Sequence, residues 1–120
     1  YIRKNYKMSN NFIDLQTAIA LTKRYRENKE KLVTPEFSDS MCIAETFDAS
    51  AIRAVIDQPG CVAFRAYYGM KENKEVCVVF VGVNDKNEDI VFINNESENI
   101  LVDWAQRCPP NCNEESPLMN

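Results

Sequence analysis

Two cysteines with three residues between them, Cys108-Pro-Pro-Asn-Cys112, form the stretch of this chain best suited to chemistry. Two thiols on a proline-stiffened turn can stay reduced as structural groups, close a small disulfide, reversibly or not, or bind a soft metal. The spacing is C-x3-C, not the C-x2-C of thioredoxin-type redox centres. A structural zinc site wants four nitrogen or sulfur ligands. The chain has no histidine, so the other ligands would have to come from Cys42, Cys61 or Cys77. Cys61 and Cys77 fall in predicted strands and point to different faces, so they do not converge. Reduced structural thiols are the first expectation, a disulfide the second and a metal the last.

A second candidate is Phe64-Arg65-Ala66-Tyr67-Tyr68-Gly69-Met70. An exposed Arg65 beside Tyr67 can hold an anion or stack on a base. The plainer expectation is that Tyr67 and Tyr68 cap the two faces of a sheet at its end, with their hydroxyls in water. Gly69 then supplies the turn. Arg65, Tyr67 and Tyr68 are the candidate ligand or partner contacts.

Other chemistries find no footing. The acid clusters Asp85/Glu88/Asp89 and Glu96/Glu98 share only their sign with calcium loops. Residues 85–89 lack the ligand alternation and central glycine of such a loop, and read as a solvated hairpin turn. There is no G-x-x-x-x-G-K-[ST] or G-x-G-x-x-G motif, and three glycines leave little room for a phosphate cradle. Without histidine, no Ser-His or Cys-His nucleophile pair can be built. Nothing brings two carboxylates together. No catalytic residue, cofactor or metal ligand is assigned, and the chain reads as non-enzymatic.

Several elements carry these residues. Residues 14–28 read as a first helix with Asp14 as N-cap and an apolar stripe of Leu15, Ala18, Ile19, Leu21 and Tyr25. Residues 32–46 are the least legible part; Pro35 stops any helix, and Met41–Ile43 reads as a short edge strand or a buried loop. Residues 48–58 read as a second helix, with Asp48 at the cap and Phe47 and Ile52 at hydrophobic-staple spacing. Pro59-Gly60 then turns the chain.

Residues 58–93 alternate breakers, apolar strands and polar turns in the manner of an antiparallel meander. Its middle strand, residues 76–83, is apolar on both faces. A register with Tyr68 opposite Glu75 puts Val62 opposite Val81 and Phe64 opposite Val79. Phe80 then falls on the other face with Ala63, Arg65 and Val78. A third strand is expected over residues 90–93. Such a sheet needs cover on both sides, from the C-terminal segment or a second subunit on the face the helices leave open. Its edges must also be paired or blunted, which points to a homodimer. The C-terminal segment starts with apolar Ile100 to Trp104, and Trp104 is expected to pack onto the sheet.

At 120 residues the expectation is a single α+β domain: two helices on a three- to four-stranded antiparallel meander, with a C-terminal arm. Residues 1–10 form a basic arm and residues 108–120 a polar tail. Charge is unevenly placed: residues 1–31 carry net +5 and the remainder net −9, summing to −4. A basic helix on an acidic body, or simply a solvated face, is the plain reading; a basic arm for an anionic partner is the sharper one. An isoelectric point of 4.9 argues against nucleic acid as partner. No apolar run reaches membrane-span length, and no secretory signal is visible. The first residue is Tyr1, not Met, which leaves room for a removed signal, and Met8 for an internal start. The odd count of five cysteines does not suit a fully paired secreted framework, so cytoplasmic residence is the expectation.

QPGCVAFRAYYGM, the downstream VFVGVN, and QRCPPNC followed by SPL together resemble the signature of a family of small proteins from Bacteroidetes-type bacteria. In that family a helix ending in something like TKRYREN comes first. A segment like FDASAI…QPGC and a Tyr-Tyr-Gly hairpin follow, then CPP-x-C near the terminus. The likeness spans about Asp14 to Leu118. It implies a recurring bacterial fold but no activity, ligand or site residue.

Overall fold

The computed structural model describes residues 11–120; the basic N-terminal arm expected over residues 1–10 lies outside them. The protein is α+β, with two helices and two small antiparallel sheets of two strands each. Among the described residues no helix is long and apolar enough to cross a membrane. The chain divides into two compact units. One comprises residues 47–69 and 77–105. The other comprises 70–76 and 106–120 together with the described residues up to 46.

In the second unit, helix α1 spans Leu15–Asn28, within a residue of expectation. Asp14 caps it: its Oδ1 accepts from the Thr17 N–H at 2.7 Å and satisfies one of the free donors of the first turn. The stripe is narrower than expected, because Leu15 and Leu21 are exposed while Ala18, Ile19 and Tyr25 are partly covered. The helix packs on the one-turn 3-10 segment Pro117–Met119, and Arg26 donates to the Leu118 carbonyl. Strand β1, Ala44–Thr46, pairs antiparallel with β4, Gln106–Cys108, in the register Ala44↔Cys108. The edge strand expected at residues 41–43 thus falls a few residues later.

The first unit holds helix α2, Ala49–Ile56, and the stems of strands β2, Ala63–Met70, and β3, Val76–Val83. Its core is small: Val55, Cys77, Val81, Val83 and Val102 are the buried apolar side chains. Phe47 and Phe64 both meet the Phe80 ring edge-on, with centroids at 4.7 and 5.3 Å, a geometry that the aromatic quadrupoles favour.

The hairpin register differs from expectation. Lys71 N–H donates to the Glu75 carbonyl and Lys74 N–H to the Lys71 carbonyl, each at 2.9 Å. Lys74 takes a left-handed φ of 74°, and the Asn73 side chain accepts from the Glu75 N–H. The turn is therefore three residues long, and Lys71, not Tyr68, stands opposite Glu75. That is an odd shift in register, and an odd shift exchanges the two faces. Phe64 consequently shares a face with Phe80, where the longer turn had separated them. At the start of the hairpin Val62 N–H donates to Val83, one residue out of step with the rest, as at a β-bulge. Cys61 lies in the loop before β2, not inside a strand.

The third strand of the expected meander does not form. β3 is instead bordered by two isolated bridges, Phe80↔Val102 and Val83↔Asp89. Ile90 N–H reaches the Gly82 carbonyl at 2.8 Å. Two residues later the Asn99 side chain captures both backbone groups of Phe92, which takes residue 92 out of any ladder. Trp104, expected to cover the sheet, is 88% exposed and sits at a left-handed φ of 54°. Val102 reaches β3 in its place.

Candidate functional site

In the first unit, three side chains named or bordered by the sequence reading converge. Arg65 and Tyr67 are two apart on β2, so they project from one face of the strand. Both reach Asp89, in the turn that follows β3. Arg65 Nη1 lies 2.5 Å from Asp89 Oδ1, its Nη2 donates to Asn87 Oδ1 at 2.5 Å, and the Tyr67 hydroxyl donates to Asp89 Oδ2. The turn itself is built by Asn84, whose side-chain oxygen accepts from the Lys86 and Glu88 N–H groups at 2.9 and 3.0 Å. Asn87 supplies the left-handed residue, with φ 65°, a conformation asparagine tolerates.

This arrangement sets the chemistry available to Arg65. Desolvation works against its charge, but Asp89 and Tyr67 outweigh it and hold the guanidinium above its ordinary range. Both terminal nitrogens of the fork already have acceptors within the chain. An incoming anion would have to displace Asp89, so the cluster acts first as a brace between β2 and the 84–89 turn. Tyr67 belongs to that brace, not to a solvated cap. Tyr68, on the opposite face, is 82% exposed. Asp89 was the residue that composition alone underrated. It read as one of several solvated acids, and only the register of β2 shows it to be the partner of Arg65.

A cavity of about 550 Å³ borders the same turn, with Val62, Ile90 and Phe92 on its apolar side and Lys86 and Asp89 on its polar side. No acid pairs with the Lys86 ammonium among the described residues.

In the second unit, Cys108 and Cys112 are joined as a disulfide with their Cα atoms 4.8 Å apart. The first-ranked expectation of reduced thiols is thereby corrected: the proline turn brings the two Cβ atoms within bonding reach. The peptide bonds preceding Pro109 and Pro110 are both cis. Cys108 is buried on β4, and its carbonyl accepts from Ile43 N–H at 2.7 Å. Cys42, next in sequence, carries a free thiol. Burial and the nearby Glu45 carboxylate push that thiol upward, against the pull of Arg107. A protonated thiol is a poor nucleophile. Cys61 and Cys77 are also free. Among the described residues no group of three or more His, Cys, Asp or Glu side chains could hold a metal ion.

Arg107, which sequence reasoning passed over, organises this unit. Its Nη1 pairs with Glu75 at 2.9 Å and its Nη2 donates to the Ser40 carbonyl at 2.8 Å. The same carbonyl accepts from Val76 N–H at 2.8 Å. The Nε of Arg107 is buried without a partner among the described residues. No spacing in the sequence links residues 40, 75 and 107; the two Arg107 bonds and the Val76 N–H bond to Ser40 bring them together.

Comparison of the chain with protein-family models, curated proteins and solved structures gives no match.

Proposed function

We propose that the chain is a non-enzymatic protein-interaction module that self-associates through its sheet. The observation that supports this best is the surface of β2, where Phe64, Tyr67 and Tyr68 are all about half exposed or more. Phe64 and Tyr68 lie on one face of the strand and Tyr67 on the other. Large apolar surface left uncovered often marks an interaction site, and aromatic residues are enriched at the buried centres of interfaces. The chemistry beside the strand suits recognition better than turnover. Arg65, Tyr67 and Asp89 satisfy one another, and a group already paired is poorly placed to move protons or attack a substrate. Sedimentation velocity over a hundredfold concentration range tests the reading, with a reversible shift from monomer to dimer expected and a single concentration-independent monomer contradicting it.

A second reading is favoured by the disulfide. A thiol-based redox protein would use Cys108 and Cys112 as its cycling pair. In the proposed cytoplasmic setting that pair would exchange with the cellular thiol pool. Cys108→Ser with Cys112→Ser leaves assembly unchanged if the module reading is right, and removes a reversible two-proton mass change if the redox reading is. A small-ligand binder using the 550 Å³ cavity would show thermal stabilisation by a metabolite, lost in Lys86→Ala. Membership of the bacterial family that the QPGC, Tyr-Tyr-Gly and CPP-x-C segments resemble belongs to the same proposal.

A further inference from the structure

We infer that the partner of β2 is the β2 strand of a second copy, joined edge to edge and antiparallel across a twofold axis. This rests on the self-association reading above and specifies its geometry.

The orientation of the backbone comes first. Lys71 N–H points at Glu75 on β3. Phe64 shares a face with Phe80, and a Cβ on Gly69 would sit 3.3 Å from the Cys77 sulfur. One register satisfies all three. In it the N–H and C=O groups of Phe64, Ala66 and Tyr68 point away from β3, because backbone direction alternates along a strand. Among the described residues no backbone group bonds to that outer edge. The other side of the hairpin is different. There Phe80 exchanges bonds with Val102, and Gly82 accepts from Ile90.

Natural edge strands are usually blunted by lysine, proline or an inward charge. Residues 63–70, AFRAYYGM, carry neither lysine nor proline. Their one charge, Arg65, is neutralised within its own chain by Asp89. Two such strands therefore meet without like-charge repulsion, which an acidic or basic edge would impose on a homodimer. The antiparallel arrangement is self-complementary and uses up the edge in both copies, so assembly closes at two. Phe64, Tyr67 and Tyr68 together offer roughly 350 Å² of exposed aromatic surface per copy. That is somewhat under half of the ~800 Å² per partner of a standard interface. The ladder and its flanks must supply the rest, which fits a reversible dimer.

The test uses sedimentation equilibrium on the full chain and three variants. Ala66→Pro removes one outward N–H while leaving the inner ladder intact. Tyr68→Lys puts a charge on the edge without touching the backbone. Trp104→Ser removes an exposed aromatic that lies off β2. Far-UV dichroism and thermal melting confirm that each variant is folded. The inference expects a wild-type dimer, at least ~10-fold weaker association for both edge variants, and no change for Trp104→Ser. A dimer equally strong in both edge variants overturns the edge pairing and leaves self-association standing by another surface. A wild-type chain monomeric up to ~100 µM, above the range of a functional weak dimer, overturns both.

Discussion

Asn99 serves as a one-residue strand for Phe92: its Oδ1 accepts from the Phe92 N–H at 2.7 Å and its Nδ2 donates to the Phe92 carbonyl at 3.1 Å. A side-chain amide has the same donor–acceptor pair as a peptide unit, so it can end a ladder where a backbone would extend it. Asn99→Ala removes both bonds. With the pair exposed to water, the cost is about 1 kcal/mol, and the Phe92 amide should lose its hydrogen-exchange protection. Asn99→Asp keeps the acceptor alone and should retain protection at the Phe92 N–H. Equal exchange at Phe92 in wild type and Asn99→Ala would show that the amide does not hold this segment.

Gly82 is needed for space. A Cβ there would stand 2.9 Å from Gln58 Nε2, 3.1 Å from the Cys61 sulfur and 3.3 Å from Ile90 Cδ1. Gln58 is not free to swing away without loss, since its Nε2 donates to the Val55 carbonyl at 2.9 Å. Gly82→Ala should destabilise by about 1–3 kcal/mol through overpacking. Gly60 is the contrasting case. It has open space around it but a φ of 79°, so Gly60→Ala should cost about 1 kcal/mol through backbone strain alone. Urea midpoints distinguish the two: adding Cys61→Ala and Gln58→Ala should relieve Gly82→Ala and leave Gly60→Ala unchanged.

Acid should loosen the start of α1. The Thr17 hydrogen bonds, side chain first and backbone second, hold the Asp14 carboxyl below its ordinary range. A carboxyl lowered by folding contributes stability above its unfolded pKa and loses it as pH falls through the lower folded value. Asp48, lowered chiefly by Ser50, and Glu30, lowered chiefly by Lys29, act in the same sense. Stability should therefore be flat near neutrality and decline below about pH 4. Carboxyl carbon titration by NMR measures this directly, and an Asp14 midpoint at the model-peptide value would contradict the cap.

Thiol counting checks the disulfide. Alkylation of unfolded, unreduced protein should label Cys42, Cys61 and Cys77 only, and all five cysteines after reduction. Closing so small a ring is worth about 2 kcal/mol in the chain-entropy account. The reduced form should be less stable by that amount and melt at a lower temperature. Five labelled thiols without reductant would return Cys108 and Cys112 to the reduced state first expected of them.

Both helices were legible because local chemistry specifies them. Asp14 caps one, and Asp48 with Pro59-Gly60 brackets the other. The polar segment between β2 and β3 was legible as a turn, but its length was not. That depended on Lys74 adopting a left-handed backbone, for which lysine carries no sequence signal. The slip then propagated, moving Phe64 onto the face of Phe80 and hiding the convergence of Arg65 and Tyr67 on Asp89. The missing third strand and the exposed Trp104 have another cause. Residues 90–93 and 100–104 have apolar composition suited to burial, but Asn99 and Val102 decide which backbone groups reach β3. Arg107 was invisible because its partners lie 32 and 67 positions away.

The pairing of β2 with a second β2 is most directly read from the amides on its outer edge. Hydrogen exchange of Phe64, Ala66 and Tyr68 would be followed by NMR in dilute and concentrated samples of the same protein. Edge-to-edge association predicts protection at these three amides that rises with concentration, while Arg65 and Tyr67, facing β3, stay protected throughout. Outer amides that exchange equally fast at both concentrations, in a sample that sedimentation shows to be dimeric, would contradict it.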